Sequence, residues 1–130
     1  AMGSRPSVAT FAKLKQLNDE YADQGLQVLG VTGRYNITWD AEKSVPRVGD
    51  GEVPAEEEVD AIGMFMQKYE LDFPTMVMPA ESSMSEEFGV SGIPHVVLID
   101  RKGIVRMVKV GGGEKNVTAI EEKIKELLAE

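Results

Sequence analysis

Two β-rich runs, His95 to Asp100 (HVVLID) and Ile104 to Val110 (IVRMVKV), flank the turn residues Arg101-Lys102-Gly103. A pair of strands joined this tightly reads as an antiparallel β-hairpin, and it must lie at one end of whatever sheet the chain builds. Gly92-Ile93-Pro94 leads into the hairpin, and Gly111-Gly112-Gly113 leads out of it. A helix is then expected from about Asn116, a plausible N-cap, with Val117, Ile120, Ile124 and Leu127 on its apolar side.

Upstream, helices and strands alternate. From Pro6 and Ser7, the residues Val8, Phe11, Leu14, Leu17 and Tyr21 recur at helical spacing, and Gly25 stands where a C-cap glycine belongs. Leu26 to Thr32 reads as a strand buried at Val28, Leu29 and Val31. Gly33 to Pro54 shows no clear periodicity, and a loop of that length is usually functional or an insertion. Pro54 opens a second helix whose stripe is Val59, Ile62, Phe65, Met66 and Tyr69; Glu56, Glu57 and Glu58 suit its positive first turn. Phe73 to Met78 is expected to be a short strand, and Ser82 to Phe88 a short helix ended by Gly89. Strands that alternate with helices pair in parallel, so the pattern predicts an α/β mixed sheet with helices on both faces and an antiparallel edge.

Composition excludes several functions. The 130 residues suffice for one domain, and no apolar run approaches a membrane span. With 22 acids against 14 bases and a net charge of −8, no basic stripe is available, so no nucleic acid partner is expected. There is no cysteine, which removes thiolate catalysis, disulfides and cysteine-based metal sites together. One histidine cannot build a His-rich metal site, so neither a metal nor a cofactor is expected. Ala1 to Ser4 reads as the remnant of an expression tag, leaving 5–130 as the domain.

The run Phe88-Gly-Val-Ser-Gly-Ile-Pro94-His-Val-Val-Leu-Ile-Asp100-Arg-Lys-Gly103 resembles the signature of TlpA/ResA-type thioredoxin-like proteins, related to the redoxin and AhpC/TSA groups. The resemblance spans nearly the whole chain and is weakest between Arg34 and Pro54. It implies a thioredoxin-like mixed sheet in which Pro94 is the cis-proline beside an active-site disulfide. The first helix and strand, Arg5 to Thr32, are similar to those that follow the family's Trp-Cys-x-x-Cys. The family's thiols are then expected just before Arg5, and with them goes the first central strand, which normally lies between the Leu26–Thr32 and His95–Asp100 strands. No catalytic residue remains; Ile93, Pro94 and His95 are implied as substrate-binding. The strands are expected to close up over the missing position, or a second copy to fill it as a homo-oligomer or strand swap.

The implied function is a fragment of a thiol–disulfide oxidoreductase acting on a thiol or disulfide protein substrate, redox-inactive as it stands, and extracytoplasmic by resemblance. Two alternatives stay open: a truncated peroxiredoxin-like peroxidase, or a cysteine-free binding module on the same scaffold. His95 is either a tuning or substrate-contacting side chain or a half-exposed strand-end histidine bonded to backbone. The acidic runs Glu56-Glu57-Glu58 and Glu86-Glu87 read as helix first turns or solvated faces rather than acid–base machinery. The triple glycine lacks the Lys-Ser/Thr ending of a phosphate loop and reads as a flexible connector. Tyr35 and Trp39 either present a partner surface or cap the core. The methionines, Met64, Met66, Met76, Met78 and Met84 among them, read as adaptable core filling.

Overall fold

A computed structural model describes residues 5–130; residues 1–4, expected from sequence to be a tag remnant, lie outside the described residues. Four α-helices and six short strands follow in the order α1 (Arg5–Tyr21), β1 (Gly30–Thr32), β2 (Ile37–Asp40), β3 (Val45–Val48), α2 (Ala55–Lys68), β4 (Thr75–Val77), α3 (Met84–Glu87), β5 (His95–Ile99), β6 (Val105–Val110) and α4 (Glu114–Leu128). They fall into two compact units. One comprises the chain through Gln27 together with Ser83–Glu130, and the other comprises Val28–Ser82.

In the first unit, helices α1 and α4 pack against the β5–β6 hairpin. Leu17 and Tyr21 of α1 meet Ile120 and Ile124 of α4, and Val96, Leu98 and Met107 close over them from the sheet. Leu17, Ile120 and Ile124 are buried, each contributing about 1.5–3 kcal/mol relative to exposure. This is the core that the helical spacings imply. A short 3₁₀ turn, Ala22–Gln24, ends α1 at Gly25, whose φ of +108° is open to glycine at little cost. Helix α4 begins two residues earlier than the sequence suggests. Gly113 is its N-cap, while the Asn116 amide donates back to the carbonyls of Val110 and Gly111, anchoring the start of α4 to the end of β6. With Gly111 at φ +89° and its N–H donating to the Pro94 carbonyl, the glycine run makes a defined turn rather than a flexible connector.

The second unit holds the parallel pair β1·β4, registered Gly30↔Thr75 to Thr32↔Val77, as the alternation of strands and helices requires. The strand expected over Leu26–Thr32 is only three residues long. Leu29 and Val31, expected to be buried, are 66% and 47% exposed. The segment expected to be an aperiodic loop contains a second hairpin, β2·β3, in which Trp39 faces Pro46. Asp40 builds its turn by accepting the N–H groups of Glu42 and Lys43. Those short strands escape notice because runs of four residues, one ending in Asp40 and the other containing Pro46, are too short to show a period. On α2 the buried residues are Glu58, Ala61, Ile62 and Phe65; Val59 and Tyr69, placed on the buried stripe from spacing, are exposed. The stripe is turned by about one residue, because Glu58 rather than Val59 is drawn inward.

The strands form three two-stranded ladders: β1 with β4, β2 with β3, and β5 with β6. The parallel and antiparallel portions expected of the mixed sheet are both present. β1 belongs to the second unit and β5 to the first, and each is paired within its own unit.

Candidate functional site

Ile93, Pro94 and His95 stand together at the head of β5, in the order the sequence puts them. The Ile93–Pro94 bond is cis. Ile93 is 49% exposed, Pro94 is buried, and His95 is half-buried as the first residue of the strand. The Gly111 N–H donates to the Pro94 carbonyl at 2.8 Å, so the end of β6 holds the proline's backbone in place. Gly92 lies beneath Val110: a Cβ there would stand 3.3 Å from Val110 Cγ1, so a side chain would crowd the approach to the proline.

His95 departs from the strand-end histidine the sequence suggests. Both ring nitrogens, Nδ1 and Nε2, are enclosed, and neither has a hydrogen-bond partner. An imidazole offers one donor and one acceptor, and a buried polar atom left unpaired costs about 1–3 kcal/mol. Among the described residues, no group supplies that partner to His95.

The hydrogen-bond alternation of β5 follows from the Pro94–Gly111 bond. In an antiparallel ladder registered His95↔Val110, Val96 and Leu98 turn their backbone groups toward β6. The N–H and C=O groups of His95 and Val97 therefore point to the opposite edge, with which no described strand pairs. The same reasoning applies to β1. The Gly30 N–H donates to the Pro74 carbonyl and the Thr32 carbonyl accepts from the Met78 N–H, so the backbone groups of Val31 face the edge away from β4.

The turn after β5 is fixed electrostatically. Asp100 accepts the N–H groups of Lys102 and Ile104 on one oxygen and Arg106 on the other. The Ile104 N–H bond, followed by Arg106 and the Lys102 N–H, holds the Asp100 carboxyl below its ordinary value despite partial burial. Arg106 also forks onto both carboxylate oxygens of Glu130, at 2.8 and 3.0 Å. Arg101 reaches the carbonyls of Gln24 and Glu130, tying the hairpin turn to the end of α1 and the chain's last residue. These groups support the hairpin; none approaches Pro94 chemistry.

A second polar centre, missed from sequence, lies in the other unit. The Glu58 side chain is fully buried, paired with Arg34 at 2.6 Å, and accepts the Tyr35 N–H at 2.6 Å. Arg34 also donates to the Val53 carbonyl. Burial alone would raise the Glu58 carboxyl, but Arg34 and the N–H groups of Tyr35 and Ile37 hold it below its ordinary value. Its sequence signal was faint: Glu58 is the last of three glutamates and falls one residue before the expected apolar stripe. The arrangement ties the segment between β1 and β2 to α2. Tyr35 is half exposed, and Trp39 is half-buried on β2, the strand that packs on α2.

Among the described residues no three His, Cys, Asp or Glu side chains converge as a metal site, and no helix is long and apolar enough to cross a membrane. No family model matches the sequence, and no curated protein sequence matches it. Solved structures do match. One is a Chlorobium tepidum protein assigned as the thiol:disulfide interchange protein DsbE, with TM-score 0.68 and 24% identity over 96% of this chain and 72% of that one. Another is a thiol-disulfide isomerase of Corynebacterium glutamicum, with TM-score 0.60 and 23% identity over 95% of this chain and 70% of that one. The chain therefore has the thioredoxin-like α/β fold of these two proteins.

Proposed function

We propose that this chain carries the substrate-facing part of a TlpA/ResA-type thiol–disulfide oxidoreductase, and that it is redox-inactive as it stands because it has no cysteine. The observation that carries the reading is the fold likeness itself. Two thiol–disulfide proteins align with 96% and 95% of this chain, yet the chain holds no thiol. Exchange requires a thiolate attacking a sulfur in line, and no other side chain substitutes for it.

On this reading Ile93, Pro94 and His95 contact a thiol- or disulfide-bearing protein substrate. The exposed Ile93 side chain gives the substrate an apolar contact, while the Pro94 carbonyl is already committed to Gly111. The partner is an extracytoplasmic protein, and no cofactor takes part.

The test is the native coding sequence upstream of Arg5, followed by insulin reduction with dithiothreitol. The protein extended by its native upstream residues should carry Cys-x-x-Cys and reduce insulin, whereas the 130-residue chain should match the blank. Turnover by the 130-residue chain overturns the proposal. An upstream Thr-x-x-Cys with peroxide consumption would instead make it a peroxidase, and an upstream segment without cysteine would make it a binding module.

A further inference from the structure

Between β3 and α2 the chain leaves and rejoins the second unit through a narrow neck. The Gly49 N–H donates to the Asn36 carbonyl at 2.8 Å, and the Val53 N–H donates to the Asn36 side-chain oxygen at 3.2 Å. Gly49 and Val53 also lie against each other: a Cβ at Gly49 would stand 2.6 Å from Val53 Cγ2, and Val53 is buried. Asp50, Gly51 and Glu52 form the tip beyond this neck, and all three are exposed. Among the described residues, no hydrogen bond or ion pair holds the Asp50 carboxylate or the Gly51 N–H. A Cβ built on Gly51 would meet nothing within 4 Å, and its φ is not positive. Neither crowding nor backbone angle therefore requires glycine at 51. Its missing Cβ does have a chemical consequence, since it leaves the Gly51 nitrogen open to the carboxyl group one residue before it.

From this arrangement we infer that Asp50–Gly51 is a site of spontaneous modification, at which the folded chain closes a succinimide and reopens it as an isoaspartyl linkage, the substrate of an isoaspartyl O-methyltransferase. In the first step the Gly51 nitrogen gives up its proton and bonds to Asp50 Cγ, while the C–OH bond of the protonated carboxyl breaks; proton and hydroxyl leave as water. Water then adds to either ring carbonyl. Breaking the new N–Cγ bond restores aspartate, whereas breaking the original peptide bond routes the backbone through Cγ and frees the α-carboxylate. The net change in composition is zero, and no oxidant or reductant takes part. Asp50 is the one Asp or Asn in the chain that precedes glycine; every other precedes a residue whose Cβ hinders the nitrogen. Several of the others are also held: Asp40 and Asp100 accept turn N–H groups, and the Asn116 amide is bonded to the carbonyls of Val110 and Gly111. The isoaspartyl linkage adds one backbone atom to the tip. With the neck fixed on Asn36 and the tip in solvent, that atom is taken up outside the packed unit, so the folded chain presents the freed carboxylate to the methyltransferase. The inference goes beyond the redox reading, which does not depend on it.

The test holds the intact chain at neutral pH for weeks, digests it, and separates the peptides that contain Asp50. Electron-transfer fragmentation distinguishes the two linkages at equal mass. Isoaspartate is expected at 50 about tenfold or more in excess of any other Asp or Asn position, and Gly51→Ala should slow its formation by about the same factor. Asp50→Asn should speed it, because the neutral amide loses ammonia more readily than a carboxylate loses hydroxide. In parallel, the aged chain is incubated without denaturant with an isoaspartyl methyltransferase and S-adenosylmethionine bearing a labelled methyl group. The label should appear at residue 50. No isoaspartate at 50, equal conversion elsewhere, or a Gly51→Ala chain that converts as fast as the parent overturns the inference. Conversion that requires urea, or label accepted only after unfolding, overturns it too, because the tip would then not react or be presented in the folded chain. The comparison among positions uses the unmodified chain, so a folding defect in a variant cannot mask the result. Failure here would leave insulin reduction by the upstream-extended protein untouched.

Discussion

Arg34 holds Glu58 at 2.6 Å, with the carboxylate fully enclosed and the guanidinium one-quarter exposed. The two ends of this pair differ in how they would survive alone. Without Arg34, a charged carboxylate stays sealed away from water; without Glu58, the guanidinium can still reach solvent. Arg34→Ala should therefore destabilise by about 3–5 kcal/mol, the cost of leaving a buried charge unpaired. Glu58→Ala should cost about 2–3 kcal/mol, because the orphaned guanidinium is partly hydrated. Urea denaturation followed by Trp39, the only tryptophan and a residue of the same unit, measures both. Equal losses, or the reverse order, would refute the asymmetry.

The same pair governs the response to acid. Burial pushes the Glu58 carboxyl up, but Arg34 and the N–H groups of Tyr35 and Ile37 bring it below its ordinary value of 4.5. On acidification the unfolded chain therefore takes up this proton first. The stabilisation is complete above about pH 4.5 and is lost as the pH falls through the lower folded value. Glu58→Gln should flatten that part of the stability profile, measured as urea midpoints between pH 5 and 2.5. An unchanged acid limb would mean that Glu58 contributes no proton linkage.

Asp100 and Glu130 share Arg106 but hold different amounts of structure. Asp100 accepts two turn N–H groups as well as Arg106, whereas Glu130 accepts only side-chain donors. Asp100→Ala should lower the thermal midpoint clearly, and 0.5 M salt should not reproduce the loss, because hydrogen bonds within the turn are not screened. Glu130→Gln should have a small effect that salt erases in the parent chain. A larger effect at Glu130 would contradict this division.

Gly30 sets the spacing of β1 and β4. A Cβ added there would meet Thr75 Oγ1 at 2.5 Å and Phe73 Cε2 at 3.2 Å, and Thr75 is stiff at χ1. Gly30→Ala should destabilise by about 1–3 kcal/mol through overpacking. The added Thr75→Ala change should relieve part of that cost, a coupling that a double-mutant cycle reads directly. Additive losses would show that the contact with Thr75 is not the cause.

Local pattern carried the reading furthest where one side of an element faces one core. The α1 and α4 stripes and the β5–β6 hairpin were legible because three- and four-residue spacing, or strict alternation, already says which side is inward. The glycines at 25 and 89 were legible for a related reason: both adopt positive φ, which few residues tolerate. Glu58 was not legible. A glutamate among glutamates looks solvated until a partner from 24 residues away arrives to neutralise it. The β2·β3 hairpin was hidden likewise, since its strands are too short for periodicity and its stability comes from Asp40 and packing on α2.

By itself the sequence determined the alternation of helices and strands outside 33–54, the hairpin after Pro94, the first unit's core and the absence of any thiol. Each of these depends on residues near one another along the chain or on composition alone. Only the tertiary structure decided that Glu58 is buried, that 37–48 pairs as a hairpin, and that the His95 ring has no hydrogen-bond partner among the described residues. Those outcomes depend on which distant groups meet, and burial turns a polar atom from a solvated group into one that must find a partner.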